Sequence, residues 1–187
     1  EITTAEYNGD FPYRIKAVEV DDNDNIYVGS QIEDGTSGYF YTSSLIKYDS
    51  NLNIPWNMTI TDGLNQGYEP RIEDIEYDSI NDLLYVAGSN TRNADINPLG
   101  TSTIVANNVN SGNYFAAYNT SGILQLSHGF ETDINSSGSL GSKSLEIFDN
   151  KLIIRGYFNG NVDFDVTDDV FYTPLTGNNG SSFLSIY

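Results

Sequence analysis

A chain of 187 residues is long enough to bury a sizeable core, and its 39% hydrophobic content is that of a globular protein rather than a disordered one. Its net charge of −18, from 8 basic against 26 acidic residues, argues against nucleic acid and anionic membrane as partners, since both require a basic surface. With no cysteine it can form neither disulfides nor thiolate metal sites, and no apolar run reaches the roughly 18 residues that a membrane-spanning helix needs.

Fourteen Tyr and nine Phe, set among alternating Val and Ile, favour strands over helices. Residues 1–7 form a short strand-capable segment that ends at the turn Asn8-Gly9-Asp10. Residues 14–20 then alternate, which places Ile15, Ala17 and Glu19 on one face and Lys16, Val18 and Val20 on the other. The Asp/Asn-rich turn 21–25 leads into a second strand from Ile26, and strand, turn, strand reads as a hairpin. Beyond a polar loop with Gly35 and Gly38, residues 45–48, the turn 49–53 and residues 54–60 with the single Trp56 form a second hairpin.

Residues 71–126 repeat this plan, with hairpins at 72–87 and 113–127 separated by a polar insert. A third copy supplies 144–155 and then 182–186. The register is fixed by one tyrosine per copy, Tyr48, Tyr118 and Tyr187, spaced 70 and 69 residues apart. No stretch carries a helical stripe of useful length. The fold class is all-β, with about three four-stranded antiparallel blades of the β-propeller type, alone or within a larger ring. The units are residues 1–62 (an outer strand of a preceding blade plus the first blade), 63–130 (the second blade) and 131–187 (a third blade lacking its outer strand). Two open strand edges follow, and proteins either protect such edges or use them. The start at Glu1, with no Met before it, fits a piece processed from a longer chain.

The stretch 20–29, Val-Asp-Asp-Asn-Asp-Asn-Ile-Tyr-Val-Gly, resembles the core of SBBP-type bacterial β-propeller repeats. Residues 45–51 followed by Trp56 resemble the second hairpin of that repeat, and residues 156–165 are similar to a variant common in secreted proteins of Bacteroidetes-like bacteria. The resemblance spans residues 12 to 187, with departures: Leu126 stands at the tryptophan position of the second copy, and the inserts are long. It implies a secreted or surface-exposed propeller without catalysis.

Two inserts carry oxygen-bearing side chains at alternate positions: Asn93, Asp95 and Asn97 in the second copy, and Asn161, Asp163 and Asp165 in the third. In an extended chain such residues line one face, and hard oxygen ligands of this kind suit Ca2+. The same alternation also describes a half-buried strand with a polar outer face. Asp21, Asp22 and Asp24 read as turn formers, because Asp78 and Asp149 occupy the equivalent turns. Tyr39 and Tyr41, near Gly38, are of a type that stacks on sugar rings, although strand packing asks for the same residues. His128 is the single histidine and stands without a nucleophile motif. The sequence therefore points to a non-enzymatic extracellular scaffold, adhesin or surface-interaction module, with a protein or glycan as partner and Ca2+ as the one metal considered. The alternatives are a subunit that self-assembles through open strand edges, and a glycan-binding or glycan-processing propeller fragment.

Overall fold

A computed structural model describes residues 13–33, 41–61, 70–90, 93–106, 112–132, 139–166, 172–173 and 180–187. All regular structure among them is β. The first sheet is the meander β1 (Tyr13–Val20), β2 (Ile26–Glu33), β3 (Tyr41–Tyr48) and β4 (Trp56–Ile60). The second copy forms β5 (Arg71–Asp78), β6 (Leu83–Asn90), β9 (Gly112–Asn119) and β10 (Leu124–Thr132), with a small hairpin of β7 (Asn93–Asp95) and β8 (Ile104–Ala106) inserted. The third copy gives β11 (Ser139–Phe148), β12 (Lys151–Asn159) and β15 (Ser181–Ile186), with β13 (Val162–Asp163) and β14 (Tyr172–Thr173) inserted. The third sheet ends at β15 without an outer strand among the described residues. The expected strand at residues 1–7 lies outside the described residues.

The three copies agree in detail. Each first strand carries a one-residue bulge at the same place, inserting Lys16, Glu73 and Lys143 respectively. A bulge shifts the facing of every residue beyond it. That corrects the simple alternation expected for 14–20: Ile15 and Val18 stand on one face with Val20, and Ala17 faces the other way with Glu19. The bulge and the tyrosine register give the same alignment, so Val18, Ile75 and Leu145 are equivalent positions, as are Leu45, Phe115 and Leu184.

The turns are held by short polar side chains accepting from nearby backbone amides, as sequence chemistry demands. Asp21 Oδ1 accepts from the amides of Asn23 (2.9 Å) and Asn25 (3.0 Å), and its Oδ2 accepts from Tyr27 Oη at 2.9 Å. Asp49, Asp78 and Asn119 repeat the device in later turns. In the third copy the first hairpin closes on two residues alone, Asp149 and Asn150, both at positive φ. Asp and Asn tolerate that conformation better than other side chains.

The sheets pack face to face. One apolar core lies between the first and second sheets, with Tyr27, Leu45, Met58 and Ile60 meeting Ile72, Ile75, Val86 and Tyr118. Another lies between the second and third, where Phe115 and Phe130 meet Leu145, Ile154 and Phe158. The middle sheet is therefore covered on both sides, and β9 is buried from Gly112 to Tyr118 without a break. Backbone approach between sheets is closest at their first strands, β1 against β5 and β5 against β11, and fades towards the outer strands.

Candidate functional site

Three features gather chemically useful groups: the two inserts, the line of first strands, and a cleft between the second and third sheets.

In both described inserts the chain reaches back to the preceding sheet. Asp95 N donates to Thr61 O at 2.7 Å, just past β4, and β13 pairs with β10 through Glu131–Asp163 and Thr132–Val162. Ala94 and Ile96 bury themselves in the first core, and Val162 in the second. The register tyrosine of each copy ties its insert down: Tyr118 Oη donates to Ile96 O at 2.6 Å, and Tyr187 Oη donates to Phe164 O at 2.9 Å.

Within these clasps the expected three-residue face does not form, because the strands end at Asp95 and Asp163 and the chain turns. Asp95 Oδ1 accepts from the amides of Asn97 (3.1 Å) and Thr103 (3.1 Å), while Oδ2 accepts from Ser102 Oγ (2.7 Å). The Asn97 side-chain amide donates to Thr101 O at 2.8 Å. Asp163, nearly buried, accepts from the Asp165 amide at 2.9 Å. Asn161 is half-buried beside it, and the side chain of Asn93 lies outside the described residues. Among the described residues, no three Asp, Glu or His side chains gather as a metal site. Tyr39 and the side chain of Tyr41 lie outside the described residues.

The line of first strands carries a pattern that chain-order reading passes over. Glu19, Glu76 and Glu146 are equivalent, each between two apolar residues of a first strand. The repeated apolar-Glu-apolar triplet, Val18-Glu19-Val20 and its two counterparts, is the signal that marks them. Burial, then the charges of Glu19, Glu146 and Asp74, push the Glu76 carboxyl up to about 7. Glu19 is raised too, first by its own burial. A backbone donor of the third sheet, Ile147 N, partly offsets this at Glu76, and Leu145 N donates to Asp74 Oδ2 at 2.7 Å.

The two junctions differ at two positions beside the cleft. At the first junction Trp56 closes the corner: its ring lies over Gly122, its Nε1 donates to Thr120 O at 3.2 Å, and its centroid stands 5.9 Å from that of Tyr27. Gly122 has φ +81°, which favours glycine, and a Cβ there would stand 3.2 Å from the indole, a tight contact. At the second junction the Trp56 position is Leu126 and the Met58 position is His128. A cavity of about 440 Å3 opens there, lined in part by Tyr85, Phe115, Leu126, His128 and Tyr187. The imidazole packs 5.9 Å from the Phe115 ring and edge-on to Phe130 at 5.4 Å. No family model matches this chain, and no curated protein does. The surface of the cleft is largely aromatic and aliphatic, with Ser127, His128 and Asn150 as its polar groups. No helix among the described residues is long and apolar enough to cross a membrane.

Proposed function

We propose that the chain is a β-propeller-type module acting as a non-enzymatic scaffold, adhesin or surface-interaction domain, secreted or displayed at a cell surface. The carrying observation is the fan of equivalent sheets: their first strands lie together, their bulges coincide, and each insert clasps the sheet before it. Such a body is a rigid frame whose faces and loops meet a protein or glycan. The carboxylates that the fold brings together support this reading, since they accept bonds from backbone amides and hold turns and junctions. An experimental structure tests the architecture: sheets radiating from a common line of first strands uphold it, and sheets stacked without splay refute it. Turnover of model glycosides by the purified chain, lost in Glu76→Gln, would refute the non-enzymatic part.

The cleft favours a second reading, in which the module also holds a glycan ring or another flat ligand against Tyr85, Phe115 and Tyr187. A glycan array checks it, with hits that weaken in Tyr85→Ala.

A further inference from the structure

Among the described residues the three stacked sheets have six faces, and the two junctions cover four of them. The remaining two are the outward face of the first sheet and the outward face of the third. Both carry exposed apolar residues at positions that are buried at one or both junctions, beside Ser30 and Ser44, which are buried on the first face, and Glu146 and Arg155, which are exposed on the third. Val18 is 53% exposed, whereas its equivalents Ile75 and Leu145 are each 2% exposed. Ile15 and Val20 extend the same exposed stripe, with Val28 and Ile46 half-buried beside them, and the matching Ile72, Val86 and Ala116 are buried at the first junction. On the other end Leu184 is 63% exposed, while Leu45 and Phe115 at that position are 0% and 5% exposed. Ile186, equivalent to the buried Ala117, is exposed next to it.

The two outward faces are therefore the two halves of one kind of junction. The face left open on the first sheet is the kind that the second and third sheets turn towards the sheet before them. The face left open on the third sheet is the kind that the first and second turn towards the sheet after them. A contact of this sort is heterologous, and it closes into a ring where the rotation allows.

Building on the propeller-type reading above, we propose that a second copy of this chain covers both faces, with the first sheet of each copy seated on the third sheet of the other to form a six-sheet ring. Six sheets fall within the four to eight that such rings hold. A sheet face about 20 Å long and about 20 Å wide spans roughly 400 Å2. One contact then buries roughly 800 Å2 in total and the two contacts of a closed pair roughly 1,600 Å2, the size of a stable interface. A single contact falls short of that size, so closed pairs prevail over open chains. Charge opposes the pairing, because each copy carries −18, so it tightens as salt rises from about 0.02 to about 0.5 M.

Sedimentation or light scattering of the full chain is expected to show a pair. Val18→Lys and Leu184→Lys should each raise its dissociation constant at least about tenfold with unchanged circular dichroism, since both residues are already mostly exposed within one copy. Mixing the two variants restores one unaltered contact, so the mixture must associate more tightly than either variant alone. A monomeric wild type, assemblies larger than two, or a pair indifferent to both substitutions overturns the proposal. Loss of pairing in Leu184→Lys alone would mean that third sheets meet each other, which also overturns it. A monomer whose sheets still radiate from their first strands would remove the pairing and leave the propeller-type reading intact. An unsplayed stack would remove that reading itself.

Discussion

The two junctions between sheets are built on the same register and packed with different materials. The first is mainly aliphatic, with Leu45, Met58, Ile60, Ile72 and Ile75, and Trp56 seals its corner against Gly122. The second is aromatic, with Phe115, Phe130, Phe158 and Tyr187, and Phe164 and Phe183 meet with centroids only 4.7 Å apart. It leaves a cleft where the first has an indole. A repeat thus keeps its backbone scheme while its side chains change, with Trp56 at the corner of the first junction and Leu126 beside the cleft at the second.

The largest effect should come from removing the seal. Trp56→Ala deletes a large, partly buried ring and its hydrogen bond to Thr120, and is expected to cost about 2–3 kcal/mol in urea-induced unfolding. A loss below about 1 kcal/mol would show that the corner was not holding the junction.

Next come the two tyrosines that tie the inserts. Tyr118 is fully buried with a 2.6 Å bond to Ile96 O, so Tyr118→Phe orphans a buried carbonyl and should cost about 1–1.5 kcal/mol. Tyr187 is only half-buried, and Tyr187→Phe should cost about 0.5–1 kcal/mol. Equal losses in parallel denaturation curves would erase this difference between the junctions.

Glu76 senses both junctions at once, Glu19 across the first and Glu146 across the second. Its carboxyl is pushed from 4.5 up to about 7, so the folded state holds its proton more tightly than the unfolded chain does. Its contribution to stability is then complete below about pH 4.5 and is lost as pH rises to about 7. Glu76→Gln should leave stability unchanged near pH 4 and raise it by about 1 kcal/mol at pH 8, after discounting for solvent screening of a half-exposed group. Asp21 works in the opposite direction. Its burial would raise the carboxyl, but the bonds from Asn25, Asn23 and Tyr27 outweigh burial and hold it low, so its stabilisation fades as pH falls. A variant with a flat gain from pH 4 to pH 8 would break the coupling proposed for Glu76.

Much of this organisation was legible in the residues. Period-two patterning, Asx turns and the recurring tyrosine gave three antiparallel copies, because strand pairing and turn chemistry are local. The facing of Ile15 was not legible, since the bulge at Lys16 leaves no mark in a run of alternating residues. The backward reach of the inserts was hidden as well: Asp95 bridges Thr61 just past β4, and Val162-Asp163 pair with β10, long-range contacts that no local pattern encodes. Asp95 and Asp163, whose spacing suggests ligands for Ca2+, also accept hydrogen bonds from amides of their own turns. The cleft was half visible: Leu126 at the tryptophan position could be read directly, but the space it leaves depends on Tyr187 and Val166 arriving from the third copy.

The smallest expected effect is also the one that converts one junction into the other. Leu126→Trp places an indole where the cleft now opens, against Tyr85 and Leu152, as Trp56 lies against Tyr27. The gain in stability should stay below about 1 kcal/mol, because filling a cavity returns contacts only where the new side chain finds an unstrained rotamer. Binding should respond far more than stability. An apolar dye or a glycan held by Tyr85, Phe115 and Tyr187 should lose its place, so fluorescence titration of the wild type and Leu126→Trp should show at least about a tenfold loss of affinity. A variant that keeps full binding with no change in melting would show that the space beside Leu126 is not the recess where ligands lodge, and the contrast between the junctions would then be one of packing alone.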